Sequence, residues 1–415
     1  MRLAIFTNVF PANVSTFLAR DIRALLAAGV EVDVFSFYRL DPRMWQYVPE
    51  ILPESLFPHE RVHHVGFVRS LLSLRPWPLR AAKIFLGEAA AVSVSALRFG
   101  AVPLMKSLYV LPKAWIWARR PPRDYDHVLA YWGNYSATCA RVFHRLLGRD
   151  IPFSMFLHAG MDLYRRQVYL RQKLLEADNI FVVCEFNREF LRRHFADVFP
   201  RIAPKIHLHH LGLDVENFPF RQEGRAPRRI LGVGRLVEGK GFDDVLRTAH
   251  ELLRRGRDVE VELAGDGAAR GALERLTDEL GIHARVRFPG YLAPAAVRQA
   301  MGEATVLVHA PPAIGDAVPT VIKEAQATGL PVVGTQIAGI PELLDHGRAG
   351  ILVPPKDIAA LAGAVERLLT DEFLWRQYSF AGRQFAERTY DMWANGKRLA
   401  GILESTGLGG TNAIC

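Results

Sequence analysis

Residues 315–355 read GDAVPTVIKEAQATGLPVVGTQIAGIPELLDHGRAGILVPP, and their pattern is loop, helix, buried strand. Pro319 is tolerated at a first helical turn and Gly329 stands just past a last one, so the spacing predicts a helix over 320–328. Pro331 then opens a short apolar strand at 332–334. Asp316 lies on the loop and Glu324 on the helix it opens. Amide N–H groups at the helix start, by Pro319 and Thr320, suit a phosphate. Two carboxylates that can bind hydroxyls, beside an anion-binding helix start, make the shape of a nucleotide-sugar site.

Upstream, RRILGVGRLVEGKGFDDVLRTAHELLRRG gives strand, loop and helix, with a domain start near Arg229 after an Arg/Pro-rich linker at 221–228. From Gly234 to Lys240 the loop meets the first part of a P-loop. Gly241 stands where that motif needs Ser or Thr for magnesium, and no acidic strand end follows. The better reading is that Arg235 and Lys240 flank a glycine-rich turn and neutralise a diphosphate. Strands are predicted at 259–264, 285–288 and 306–309, and helices at 358–369, 373–388 and 392–403. The last of these, with Trp393, is expected to cross back over the first domain.

The chain begins with strand, helix and strand at 3–7, 16–28 and 30–35, a βαβ unit that implies a parallel sheet. No glycine occurs between Thr7 and Gly29, so the dinucleotide fingerprint is absent there. Residues 40–122 are Pro-rich, basic and helical in pieces. Alternation resumes with a strand at 128–131, a helix at 136–147 and a strand at 153–157. His158 follows that strand end, where open α/β sheets place functional residues; the bland alternative is a loop histidine satisfied by backbone groups. A helix, a strand at 180–184, another helix and a strand at 205–209 complete the domain. His207, His209 and His210 invite a metal, but strand alternation separates them and no carboxylate shares a suitable spacing.

A chain of 415 residues, half of them hydrophobic and 23% charged, suits two globular domains. It has no apolar run of ~18 residues that would span a bilayer. MRLAIFTNVF reads as a first strand rather than a secretory signal. Cys139, Cys184 and Cys415 make neither a disulfide framework nor a zinc site, which suits a reducing cytoplasm. The net charge is +9. Between Arg69 and Arg120 lie nine cations and Glu88 alone, a net of +8 (9 − 1), together with Phe85, Trp77, Trp115 and Trp117. Basic and aromatic residues interleaved in this way predict contact with an anionic membrane through about 69–120. An ordinary solvated face is the alternative. Nucleic acid is disfavoured, since no recognisable nucleic-acid module is present.

Residues 315–355 resemble the E-x7-E region of the retaining glycosyltransferases of family 4, with Asp316 where the first Glu usually stands. AGIPELLDHGRAGILVPPKD resembles the continuation of that pattern, GRLVEGKG its GRLVxxKG segment, and FPANVSTF the FPxxSETF loop of exopolysaccharide and colanic-acid-type members. In that loop Val14 and Ser15 replace the usual Ser and Glu. The resemblance implies a GT-B fold: two Rossmann-like, doubly wound parallel-sheet α/β domains facing across a cleft. The expected domains are 1–220, with a helix at about 390–408 packed back on it, and 221–389.

By the same resemblance, a UDP- or GDP-type nucleotide sugar binds the second domain, and a glycan or lipid-linked saccharide acceptor binds the first. Transfer proceeds with retained configuration and no metal or cofactor, at the inner face of the cell membrane. Donor-binding residues are Gly234, Arg235, Lys240, Asp316, Pro319, Thr320 and Glu324. Glu324 holds the ribose hydroxyls. His158, with Asp162 nearby, touches the donor sugar, and His158, Arg235, Lys240 and Asp316 form the catalytic set. An inactive nucleotide-sugar or lipid-carrier binder and an epimerase on the same architecture are the rival readings.

Overall fold

The computed structural model describes residues 1–11, 16–38, 51–66, 78–148, 150–165, 168–223, 225 and 228–408. Two compact units emerge: Met1–Gly212 with Met392–Cys415, and Leu213–Asp391.

Among the described residues the first unit is built on seven strands, β1 (Arg2–Thr7), β2 (Glu31–Ser36), β3 (Val62–His63), β4 (His127–Ala130), β5 (Phe153–Leu157), β6 (Asn179–Val182) and β7 (Ile206–Leu208). All pair in parallel, in the order β3-β2-β1-β4-β5-β6-β7. Continuous apolar runs such as Leu3–Phe6 are what a parallel sheet covered on both faces requires. On one face Phe6 stacks on Phe35 at 4.6 Å, with Trp117 and Phe143 packed around them. On the other, helix Thr16–Ala27 meets helix Met392–Leu408 so closely that a Cβ on Gly396 would come within 2.2 Å of Ala24. This last helix is also tied to the sheet by polar groups. His127 bonds the Leu403 carbonyl and Ser154, and Asn179 donates to Ser154 and Thr406.

The stretch between β3 and β4, where the sequence says least, contains two 19-residue helices, Leu79–Leu97 and Ala101–Arg119. Here the expected basic, aromatic surface needs correction. Trp115 and Trp117 are core residues, and Lys113 is buried with its Nζ donating to the carbonyls of Phe37 and Val65. Indole rings next to a phenylalanine-lined sheet face gain more from packing than from solvent. Arg69, Arg75 and Trp77 lie outside the described residues, as does the stretch from Ala12 to Ser15 of the FPANVSTF loop.

The second unit carries β8 (Arg229–Val233), β9 (Glu260–Ala264), β10 (Val286–Gly290), β11 (Val306–His309), β12 (Val332–Thr335) and β13 (Ile351–Val353). They pair in parallel in the order β10-β9-β8-β11-β12-β13. The chain enters this unit at Leu213 rather than near 221. Leu213, Val215 and Phe218 pack with Leu231, Ile322 and Tyr390, so apolar burial draws the boundary ahead of the polar linker. Helix Phe242–Arg254 shows why the sequence folds locally as it does: Val245, Leu246, Ala249 and Leu252 fall on one face and are buried.

Candidate active site

In the second unit the strand order reverses between β8 and β11, the switch point beyond whose carboxyl ends open α/β sheets bind ligands. The glycines of the β8 loop are there for close approach. Gly241, at φ +75°, lies so near the chain after β11 that a Cβ would stand 1.8 Å from the Ala310 carbonyl oxygen. A Cβ on Gly265, after β9, would stand 1.9 Å from the Gly234 carbonyl oxygen. Three strand ends are thus stitched backbone to backbone, which fixes the loop bearing Arg235 and Lys240.

At this edge the Lys240 ammonium is hydrogen-bonded and ion-paired to the Asp316 carboxylate. The two residues are 76 apart in sequence. Partial burial pushes the Asp316 carboxyl up, but Lys240, with smaller help from His309 and Arg235, holds it below the usual carboxylate range. Asp316 therefore stays an acceptor, suited to a hydroxyl. Arg235 is exposed. His309, at the end of β11, is buried; desolvation first and Lys240 second push it down to about 3, so it stays neutral beneath the charged pair. Sequence reading stopped at His309 as a strand end and gave it no part.

Helix Thr320–Ala327 starts at Thr320, with buried Pro319 before it in an extended conformation. Glu324 is one turn on from Thr320, on the same helix face, and partly exposed. Gly329, at φ +72°, closes the helix where a Cβ would stand 2.6 Å from the Phe220 ring. Of the residues singled out from sequence, the structure joins Lys240 directly to Asp316 and brings Arg235 within electrostatic reach of them. Gly234 serves the loop crossing, and Pro319, Thr320 and Glu324 form the neighbouring helix start.

The first unit has its own switch point, between β1 and β4. His158, after β5, is buried among the rings of Phe17, Tyr131, Trp132 and Phe156, with Trp132 at 4.4 Å. Its Nε2 lies 2.8 Å from the Tyr131 carbonyl oxygen, which can only accept, so Nε2 carries the proton and Nδ1 the lone pair. Burial lowers the imidazole against the raising effect of Asp162. Asp162 accepts backbone N–H bonds from Gly133 (3.2 Å), His158 (2.9 Å) and Ala159 (2.8 Å), and so clasps the β4 and β5 loops together.

Several functional-looking groups here escaped the sequence reading. Asp21 accepts from the Tyr131 hydroxyl at 2.5 Å and pairs with His209 at 3.3 Å; burial and Asp21 raise the Tyr131 phenol, keeping it a donor. Lys173 is fully buried and donates to the carbonyls of Gly133 and Asn134 and to the Thr138 hydroxyl; desolvation lowers it to about 7. Thr7 Oγ1 and Asn134 Nδ2 are buried without a hydrogen-bond partner among the described residues, both at this switch point. The Asp21 contacts span 110 and 188 residues, which no local motif announces. His207 bonds Asn179, and among the described residues no cluster of three or more His, Cys, Asp or Glu could hold a metal ion.

Residues 227–371 match the family described as Glycosyl transferases group 1. The match lies within the second unit. The matched residues include every donor-binding residue predicted from sequence. Over 97% of its length the chain is 25% identical to the amylovoran biosynthesis glycosyltransferase AmsK of Erwinia amylovora, covering 99% of it. It is also 25% identical, over 98% of its length, to all of the putative colanic acid biosynthesis glycosyltransferase WcaL of Escherichia coli K12. An alpha-D-kanosaminyltransferase of Streptomyces kanamyceticus is 35% identical over 43% of this chain and 46% of that protein. Anabaena HepE in complex with UDP superposes with TM-score 0.71 at 16% identity, covering 98% of this chain and 100% of that one. At that identity the likeness is one of fold, and the fold is that of the GT-B glycosyltransferases.

Proposed function

We propose that the chain is a retaining, metal-independent glycosyltransferase of family 4 that moves a sugar from a UDP- or GDP-type donor to a glycan or lipid-linked saccharide, in building a cell-surface polysaccharide. The observation that carries this reading is the Lys240–Asp316 pair at the switch point, beside Arg235 and the start of helix Thr320–Ala327. An ammonium has three donors, so Lys240 can hold Asp316 and still offer two to phosphate oxygens. As the bond from the anomeric carbon to the diphosphate breaks, charge grows on the departing oxygen, and Lys240, Arg235 and the helix-start amides meet it. The acceptor oxygen bonds the same carbon on the same face and passes its proton to that oxygen. Asp316 and Glu324 take the sugar and ribose hydroxyls, Gly234 lets the backbone approach the diphosphate, and His158 is assigned to the transferred sugar. AmsK and WcaL, similar along nearly the whole chain, support polysaccharide synthesis as the setting; its place at the inner, anionic face of the cell membrane is part of the proposal.

The experiment is incubation of the protein with membranes and a panel of radiolabelled nucleotide sugars. Label moving into a glycan or lipid extract is the expected result. Label retained on the protein alone would instead identify a binder that has kept the fold, and a rearranged free sugar nucleotide would identify an epimerase.

A further inference from the structure

Helices Leu79–Leu97 and Ala101–Arg119 bury one apolar face, with Val92, Ala96, Leu111, Trp115 and Trp117 turned inward, yet carry a second apolar stripe outward, where a surface helix is ordinarily polar. Two of their charged groups point into the unit. Glu88 is buried and held by Arg141 and Arg145, and Lys113 is buried against two backbone carbonyls. On the first helix the exposed positions 79, 83, 86, 90, 94 and 97 recur at steps of three and four and so form one stripe. That stripe is Leu79, Lys83, Leu86, Ala90, Val94 and Leu97, with Leu79 90% and Leu86 67% exposed. It continues through exposed Phe99 at the bend into Met105, 61% exposed, and Leu108 on the second helix. An apolar surface of this extent on a folded unit marks an interaction face.

We propose that this helical pair seats on an anionic lipid bilayer, with Leu97, Phe99 and Met105 entering the acyl boundary. The choice of occupant follows from charge. Arg80, Lys83, Arg98 and Lys106 are exposed among the apolar residues, and the one carboxylate of the two helices, Glu88, is buried. A second copy of the chain packed through a twofold axis would set these cations against themselves with no carboxylate to offset them. A surface of phosphate headgroups offers both the opposite charge and an apolar interior. The proposal deepens the membrane setting of the function proposed above and rests on it; its test uses no nucleotide sugar, so failure here and failure of glycosyl transfer are read separately.

The test is co-sedimentation with vesicles of phosphatidylglycerol and phosphatidylcholine against vesicles of phosphatidylcholine alone. Wild-type protein binds the anionic vesicles, and binding falls as salt rises. Leu97→Glu with Met105→Glu lowers the binding constant by at least ~10-fold, and each of Arg98→Gln and Lys106→Gln by ~5-fold. Circular dichroism melting of the variants stays at the wild-type value, since these side chains are exposed. Absence of vesicle binding, or equal binding to phosphatidylcholine alone, overturns the proposal. So does a wild-type dimer in sedimentation velocity that Leu97→Glu with Met105→Glu converts to monomer, which would give the face to a second copy.

Discussion

The two units share a plan, a parallel sheet whose order reverses beside its first strand, yet their carboxyl edges are furnished in opposite ways. In the second unit the groups at the switch point are charged and open: Arg235 exposed, Lys240 and Asp316 paired at the surface, loops drawn together by glycine contacts. In the first they are buried and neutralised: His158 among four rings, Asp162 saturated by three backbone amides, Lys173 engaged by three oxygens. The same topology can therefore present a charged ligand edge or a stiff, prearranged wall. Which one it presents depends on what fills the space beyond the strands.

The largest effect expected from that contrast is catalytic. Lys240→Ala should lower turnover of the nucleotide sugar by about 10² to 10³-fold with little change in melting temperature, because its ion pair with the half-exposed Asp316 is worth only about 0–1 kcal/mol. An undiminished turnover number would remove the charged edge from the chemistry. Next comes the glycine contact. Gly241→Ala should destabilise the second unit by about 3 kcal/mol, since its Cβ meets a backbone carbonyl that cannot move aside. Gly29→Ala in the first unit has nothing within 4 Å and should cost only about 1 kcal/mol for its left-handed φ. Calorimetric transitions for the two variants would test the ranking, and equal shifts would contradict it.

Lys173→Met should cost about 2 kcal/mol by leaving buried carbonyls unpaired, a stability loss where Lys240→Ala gives an activity loss; urea unfolding measures it. The last effect is graded with pH instead of set by one substitution, and it is in acid. Burial holds His127, in the first unit, at about 4 and His309, in the second, at about 3, both below the ordinary histidine value. The unfolded chain therefore takes up their protons first as pH falls. Stability is complete above about pH 6.5 and lost below it, at about 1.4 kcal/mol per pH unit for each ring. For His127 the loss runs down to about pH 4, and for His309 to about pH 3. Urea midpoints across pH 7 to 4 should show this slope, and His309→Phe should flatten the second unit's share alone.

Much of the second unit was legible because its signals are local. Glycine, proline and apolar runs within forty residues gave helix 320–328, against the observed Thr320–Ala327, and the strand after it. What could not be read was that Lys240 and Asp316, assigned to different parts of one ligand, hold each other. That contact exists only once β8 and β11 are neighbours. In the first unit the strand end at His158 was legible from apolar patterning, but Asp21, Tyr131 and His209 meet across the sheet and carry no shared motif. Trp115 and Trp117 were misread because a count of bases and aromatics ignores direction. The helical step that sends tryptophan inward and leucine outward was present in the letters all along.

Helix Met392–Leu408 belongs to the first unit although the whole second unit precedes it in the chain. The ribosome must therefore finish Leu213–Asp391 before it delivers the segment that Leu403 and Thr406 tie to the first sheet and Gly396 packs on helix Thr16–Ala27. Until then His127, Ser154, Asn179 and Ala24 have no cover on that side. The later-made half is free to mature on the nascent chain, while the earlier-made half waits for residues 392–408.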